Sequence, residues 1–152
     1  MSTKTYTILA AAFVIAGLLY WNAMPTSQAP TGHVMTPTDT SDIEQGSAIA
    51  NVVIPVEFSP NAELGKKAFE AKCAVCHGVN AAGQNGVAPP LVHKIYEPNH
   101  HSDMAFVSAA KNGVQSHHWN FGNMPPVEGL TDGDVKSIAR YIRELQRENG
   151  IF

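Results

Sequence analysis

The stretch "CAVCHG", residues 73–78, holds both cysteines of the 152-residue chain, and a histidine directly follows the second cysteine. Two thiols at this spacing can form a redox dithiol or a small disulfide. They can also supply half of a zinc site or attach a cofactor covalently. Each of these uses needs different surroundings, so the sequence on either side of the stretch decides among them.

Those surroundings disfavour the first three uses. A structural zinc ion needs four ligands, but the chain has no third cysteine, and His93 and the pairs at 100–101 and 117–118 fit no familiar finger spacing. A thioredoxin-like dithiol follows a strand, whereas a helical pattern precedes Cys73. A disulfide would close only a tiny loop and would give the histidine no role. The pattern C-x-x-C-H is typical of covalent c-type haem attachment, with His77 held under the iron.

Three helices are predicted. The first runs from Ser59-Pro60, a cap followed by a proline, to Cys73; the second runs from about 102 to 112, where Gly113 stops it. The third begins at a capping box formed by Thr131 and ends at Asn149-Gly150. The apolar positions at helical spacing are Leu64, Ala68, Phe69 and Ala71, then Met104, Phe106, Val107 and Ala110, then Val135, Ile138, Ile142 and Leu145. No run alternates like a strand, so the predicted class is all-α.

The N-terminal part is predicted to be a membrane anchor followed by a tether. The nineteen residues 6–24 carry no charge and as a helix would span about 28 Å, close to a hydrocarbon core of about 30 Å. Lys4 and the amino terminus place the start in the cytoplasm and the rest outside. A cleaved secretory signal is the alternative, and it also exports the rest. Residues 1–24 are thus assigned to the anchor, 25–58 to a flexible tether and 59–152 to the domain.

Composition and loop content narrow the function further. The ten basic residues are spread along a chain of net charge −3, which argues against nucleic-acid binding. Irregular stretches at 79–101 and 113–130 leave little room for a protein core. A large flat apolar cofactor would supply the missing interior.

Met124 is predicted to be the second axial ligand, because it lies in a non-helical segment stiffened by two prolines. Met104 is predicted to pack in the core. The histidine pairs at 100–101 and 117–118 are read as polar surface, a bis-His alternative, or a weak copper or zinc site. Trp119 is either a packed aromatic or an indole donor to a haem propionate. His/Met ligation raises the reduction potential and fills the sixth position, which favours one-electron transfer.

Over residues 59–152 the chain resembles the class I cytochromes c. It has, in that family's order, a helix ending in "CAVCHG", the segment "VAPPL" at 87–91, a methionine loop and a C-terminal helix containing Tyr141. The resemblance implies an all-α fold of about three helices and long loops around one covalent haem c. It also implies that the first and last helices cross at Gly65, with Phe69 meeting Tyr141.

The resemblance further assigns roles around the haem. His77 would be the proximal ligand, its second N–H would be accepted by the carbonyl of Pro89, and Leu91 would pack on the haem. Met124 would be the distal ligand. The bond to Pro89 would serve to fix the orientation of the imidazole.

With its anchor and tether, the chain is similar to the membrane-bound electron-shuttle cytochromes of Gram-negative bacteria. The expected function is electron transfer in the periplasm, from a donor such as a quinol-oxidising complex to an acceptor such as a terminal oxidase, by a protein held in the inner membrane by one span. The alternatives are a dedicated haem subunit of a periplasmic dehydrogenase or copper protein, a haem enzyme or gas sensor, and copper handling by the paired histidines.

Overall fold

The structure is a computed structural model, and it describes residues 36–152. Within that range the chain forms the helices α1 (Pro60–Lys72), α2 (Ala74–His77), α3 (Asp103–Asn112) and α4 (Asp132–Glu148). Short 3-10 helices lie at Val79–Ala81 and Lys94–Tyr96. The β pairing of these residues consists of two isolated antiparallel bridges. The prediction of an all-helical domain is confirmed.

The termini of the helices follow their capping residues. The Ser59 side chain accepts from the backbone N–H of Ala62 at the start of α1, where Pro60 occupies the first position. Both bonds of the capping box between Thr131 and Asp134 are present at the start of α4. The three predicted helices are confirmed within a residue or two. The one-turn helix α2 was not predicted, because four residues are too few to show periodicity.

The core lies where α1 crosses α4. Phe69 on α1 meets Tyr141 on α4 with ring centroids 5.6 Å apart, as the family resemblance implied. The predicted stripe of α4 is buried at all four positions: Val135, Ile138, Ile142 and Leu145. The predicted stripe of α1 is wrong at Leu64, which is 60% exposed, and at Ala71, which is also exposed. The helix approaches α4 most closely at Gly65, and this contact turns Leu64 toward solvent.

Residues 25–58 were predicted to form a flexible tether, and the structure differs from this over residues 38–58. Asn149 exchanges two hydrogen bonds with the backbone of Val53, at 2.8 and 2.9 Å. Phe58 is buried in the core cluster. Further hydrogen bonds join this segment to Ala82, Asn85 and His93. The apolar residues at 51–58 indicated that the end of this segment packs on the domain. Residues 38–50 gave no such sign, because distant side chains satisfy the backbone of a segment without periodicity.

Two predictions concern residues outside the described range. The anchor at 6–24 and the first part of the tether, residues 25–35, both lie there. From residue 36 onward, no helix has the length and apolar character that a membrane span requires. The anchor stays a prediction.

Met104 is not a core residue. Its side chain is 56% exposed, and Val107 is the one residue of α3 that is buried. The apolar side of α3 instead borders a large cavity through Phe106, Ala109 and neighbouring residues. The helix was predicted correctly from its apolar spacing. The apolar side of α3 faces the cavity, however, and Met104 lies on the side exposed to solvent.

Glu144 joins α4 to the start of α1 and makes stability depend on pH. Its carboxylate accepts from the backbone N–H and the hydroxyl of Ser59, at 3.0 and 2.7 Å. Burial alone would raise the pKa of Glu144, but the bonds from Ser59 and the charge of Arg140 outweigh it and lower that pKa. The stabilisation should therefore be complete above about pH 4.5, the ordinary pKa, and be lost as the pH falls through the lower folded value.

We expect Glu144→Gln to lower the free energy of unfolding by about 1–2 kcal/mol at pH 7, because a charged acceptor is lost. The difference from wild type should shrink as the pH falls through the lowered folded pKa of Glu144. Urea unfolding at several pH values measures this. Glu148→Gln, at an exposed position of the same helix, is the control. An equal difference at pH 7 and pH 3 would contradict the linkage.

Candidate functional site

A cavity of about 730 Å³ lies among α1, α3, α4 and the two long loops, and its wall is mostly apolar. Apolar cavities of this size with a few polar groups are typical of cofactor sites. Every residue that the sequence analysis assigned to a haem site lines it: Cys73, Cys76, His77, Pro89, Leu91, Trp119 and Met124. The fold therefore brings together residues that lie up to 51 positions apart in the sequence.

His77 has a fixed tautomer. Its Nδ1 lies 2.9 Å from the carbonyl oxygen of Pro89, and since a carbonyl can only accept, Nδ1 carries the hydrogen. Its ring is 9% exposed, and burial lowers the pKa of His77, which favours the neutral form. Nε2 is left with a lone pair. A neutral imidazole so oriented is a suitable ligand for haem iron.

Cys73 caps the short helix α2, Cys76 lies within it, and both cysteines are unpaired. Burial, with a smaller effect of Cys76, raises the pKa of Cys73 to about 11. A redox dithiol needs the opposite, a lowered thiol pKa. Among residues 36–152, the side-chain group close enough to hold a metal ion contains neither cysteine. The dithiol and zinc interpretations therefore lack support, and a covalent cofactor fits both thiols.

The segment carrying Met124 is fixed by backbone pairing. Met124 and Val114 exchange two hydrogen bonds of 2.9 Å in an isolated antiparallel bridge. Gly113, at φ +75°, lies so close that a Cβ there would be 2.6 Å from the carbonyl oxygen of Met124. The sequence analysis attributed the rigidity of this segment to prolines and missed the bridge to Val114. The bridge involves one residue pair, which is too short to produce the alternation of apolar and polar residues that would reveal a strand.

Trp119 supplies a buried donor without an acceptor. Its ring is buried beside Phe121, and Nε1 has no hydrogen-bond partner in the described part of the chain. Burial raises the pKa of Tyr96, and the nearby indole of Trp119 reduces this effect. The indole N–H and the Tyr96 hydroxyl are therefore close, but they do not reach hydrogen-bond geometry. Buried donors are rarely left unpaired. The orphaned N–H fits an anionic group of a cofactor in the cavity, such as a haem propionate.

The four paired histidines, His100, His101, His117 and His118, form one cluster, which we call the histidine cluster. The rings of the two pairs approach each other, with 5.5 Å between the centroids of His101 and His118. The pKa values of His101 and His118 are lowered, mainly by burial and to a smaller extent by repulsion from the neighbouring histidines. Three members border the cavity: His101, His117 and His118. The sequence showed two separate pairs of histidines, and only the fold shows that the two pairs lie next to each other.

Comparison with known proteins agrees with this site. The protein-family model described as cytochrome c matches residues 62–146, more than half of the chain. Cytochrome c6 of Cyanidium caldarium is 32% identical over 90 residues, which make up 57% of this chain and 73% of that protein.

Two longer relatives are similar over a smaller share of their length. A Cbb3-type cytochrome c oxidase subunit CcoP of Helicobacter pylori is 31% identical over 80 residues, which cover 53% of this chain and 26% of that subunit. A thiosulfate dehydrogenase of Psychrobacter arcticus is 31% identical over 109 residues, 68% of this chain and 31% of that enzyme. The chain thus spans about a quarter to a third of these two relatives.

Proposed function

Because the chain belongs to the cytochrome c family, we propose that its cavity holds one covalently bound haem c and that the protein is a one-electron carrier. The observation that carries the proposal is the orientation of His77. Its Nδ1–H donates to the carbonyl of Pro89, so the lone pair of Nε2 is available to bind iron. Both cysteines and Met124 line the same cavity. Haem c, when bound, supplies a couple that gains and loses one electron.

The residues of the chain have separate tasks in this proposal. The thiols of Cys73 and Cys76 would attach the cofactor as thioethers, and α2, which carries Cys76 and His77, would position the imidazole to bind the iron. Met124, held by Val114, would supply the second ligand. Together, these two ligands would leave no iron site for oxygen or peroxide. Trp119 would donate to a propionate and so satisfy its orphaned N–H.

The surrounding protein would limit solvent reorganisation and set the reduction potential. Leu91 and Phe106 contribute apolar wall to the cavity, and Pro89 fixes the imidazole. An apolar wall and a thioether ligand both favour the reduced, less charged state of the iron. The arrangement suits electron transfer better than catalysis at the iron.

We place this carrier on the periplasmic side of the inner membrane, anchored by residues 6–24. The uncharged apolar segment and the need for attachment outside the cytoplasm support this location. Its partners would be a quinol-oxidising complex and a terminal oxidase, and tethering would raise their effective concentration. The test is whether the haem protein sediments with membranes after cell fractionation and whether membranes containing native oxidases reoxidise it.

A second candidate is a haem subunit dedicated to one enzyme. It is favoured by the similarity to an oxidase subunit and to a thiosulfate dehydrogenase, since both relatives carry a similar stretch within a larger protein. Purification from native membranes separates the two candidates. A fixed stoichiometry with one dehydrogenase or oxidase would identify a subunit, whereas a free monomer would identify a shuttle.

Replacement of Met124 tests the ligand set. In the oxidised wild-type protein we expect a sulfur-to-iron charge-transfer band in the near infrared, and we expect Met124→Ala to remove it. The reduction potential should fall on the order of 0.1–0.3 V, because axial ligands set haem potentials over roughly 0.8 V. Near-infrared absorption and a redox titration of the purified protein measure both effects.

Met104→Ala is the matched control, since Met104 is exposed and does not line the cavity. It should keep the band and the potential of wild type. A wild-type protein that lacks the band and whose reduced form binds carbon monoxide readily would instead favour a haem enzyme or gas sensor.

A further inference from the structure

The histidine cluster joins two loops that are 16 residues apart in the sequence. The ligand nitrogens of His100, His101 and His118 all lie within 4.8 Å of one another. His117 lies beside them, with its ring centroid 4.3 Å from that of His118. Imidazole nitrogens from separate loops that lie this close together can bind the same metal ion.

The first pair is held in place by a buried arginine of α4. The Arg143 side chain donates to the carbonyl of Tyr96 at 2.6 Å and to the carbonyl of His101, and it pairs with Asp103 at 2.8 Å. The backbone N–H groups of His100 and His101 both donate to the carbonyl of Glu97. The loop that presents this pair is therefore anchored on both sides of the histidines.

The tautomer of His101 is suited to a metal ion. Its Nδ1 lies 2.8 Å from the carbonyl oxygen of Ile95, which can only accept, so Nδ1 carries the hydrogen and Nε2 carries the lone pair. A histidine that donates its second N–H to a backbone carbonyl is the usual arrangement at metal sites. His117 makes the same kind of bond, from Nδ1 to the carbonyl of Gln115 at 2.9 Å.

We propose that His100, His101 and His118 bind one divalent transition-metal ion, Cu²⁺ or Zn²⁺, beside the cavity. Imidazole nitrogens suit these two ions, and the triad contains no carboxylate of the kind that Mg²⁺ or Ca²⁺ prefers. The acidic side chains near this loop are already paired, Asp103 with Arg143 and Glu97 with Lys94. His117 is positioned as a neighbour of the triad and not as a member of it.

The distances need only a small adjustment. Metal–nitrogen bonds of about 2.0–2.1 Å in a tetrahedral site separate the ligand nitrogens by roughly 3.3 Å. The nitrogens of the triad must therefore approach by about 1.5 Å at most. Since the His100 side chain is exposed, its rotation can supply much of this movement. Three protein ligands leave a fourth position for water or a small anion.

This site would influence the haem, and this part rests on the proposed function. His101 and His118 line the same cavity as Met124, so a bound cation would lie near the cofactor. A nearby positive charge favours the reduced iron, which carries one positive charge less than the oxidised iron. Metal binding should therefore raise the reduction potential of the haem.

The test is a metal titration of the purified full-length holoprotein after chelator treatment. Calorimetry with Zn²⁺ should show one tight site per chain, and electron paramagnetic resonance with Cu²⁺ should show a copper signal with nitrogen ligands. His118→Ala should weaken binding about 100-fold or more. Loss of a group that only orients a metal ligand already costs about 10–100-fold, and His118 is itself a ligand. His100→Ala should do the same, and since this side chain is exposed its loss leaves the cavity intact.

His117→Ala is the matched control and should weaken binding no more than about threefold, since His117 lies outside the triad. Equal weakening by His117→Ala and His118→Ala, or unchanged binding in His100→Ala, would overturn the proposal. So would a change of the haem axial-ligand spectrum in metal-free His118→Ala, because this histidine would then belong to the haem. Absence of a haem spectrum with intact zinc binding would contradict the proposed function and leave the metal site standing.

Discussion

Gly65→Ala is expected to lower the free energy of unfolding by about 3 kcal/mol or more. A Cβ at this position would lie 1.9 Å from the carbonyl oxygen of Ser137 and 2.8 Å from the backbone nitrogen of Ile138. These are backbone atoms of α4 and cannot rotate away, so the helices would have to separate by more than 1 Å. Alanine favours a helix over glycine by at most about 1 kcal/mol, so the clash outweighs the gain in helix propensity.

Gly133→Ala is the control for this substitution. Gly133 also lies in a helix, but a Cβ there would meet its nearest neighbour, the Thr131 hydroxyl, at an ordinary 3.6 Å. We expect a change between zero and a gain of about 1 kcal/mol. Urea unfolding followed by circular dichroism measures both variants. Equal stability of Gly65→Ala and wild type would show that α1 and α4 do not pack as closely as the structure has them.

Removal of both attachment thiols should abolish the native fold. In the Cys73→Ser/Cys76→Ser variant no haem is covalently bound, so the cavity of about 730 Å³ either stays empty or collapses. An enclosed empty cavity costs about 24 cal/mol per Å³, so each 100 Å³ of this space that stayed dry would cost about 2 kcal/mol. The entire stability of a domain is roughly 5–15 kcal/mol. We expect this variant to lose most of its helical circular dichroism and its sharp thermal transition.

Val75→Ala is the matched control, because Val75 lies between the two cysteines, is exposed and leaves both thiols in place. It should retain the covalent haem and the thermal transition. A double serine variant that stays helical and melts cooperatively without haem would contradict the view that the cofactor fills the core. Retention of noncovalent haem in that variant is checked by extraction into acidified organic solvent.

The helices were predictable because their signals are local. The capping box at Thr131 and the proline at residue 60 act within one turn, and the stripe of α4 repeats four times. The exposure of Leu64 was not predictable, because which face of α1 is buried depends on where it crosses α4. The exposure of Met104 has a similar cause, since the apolar side of α3 borders the cavity.

The residues predicted for the site all line one cavity, but the sequence did not indicate how they are held there. The order of cysteines, histidine, proline and methionine along the chain was sufficient to nominate the residues around the cavity. The bridge that holds Met124 to Val114 was missed, as was the anchoring of the loop before α3 by Arg143. Both are single contacts between distant residues, and a single contact produces no repeating pattern.

The sequence by itself was enough to predict covalent haem attachment, because "CAVCHG" places two thiols and an imidazole within six consecutive residues and needs little else to align them. It also determined the helices, whose capping and spacing are local. Only the tertiary structure decided that residues 38–50 lie against the domain and that His100, His101 and His118 meet. These features depend on how separate segments pack, and packing is set by the contacts of the whole domain and not by the spacing of neighbours.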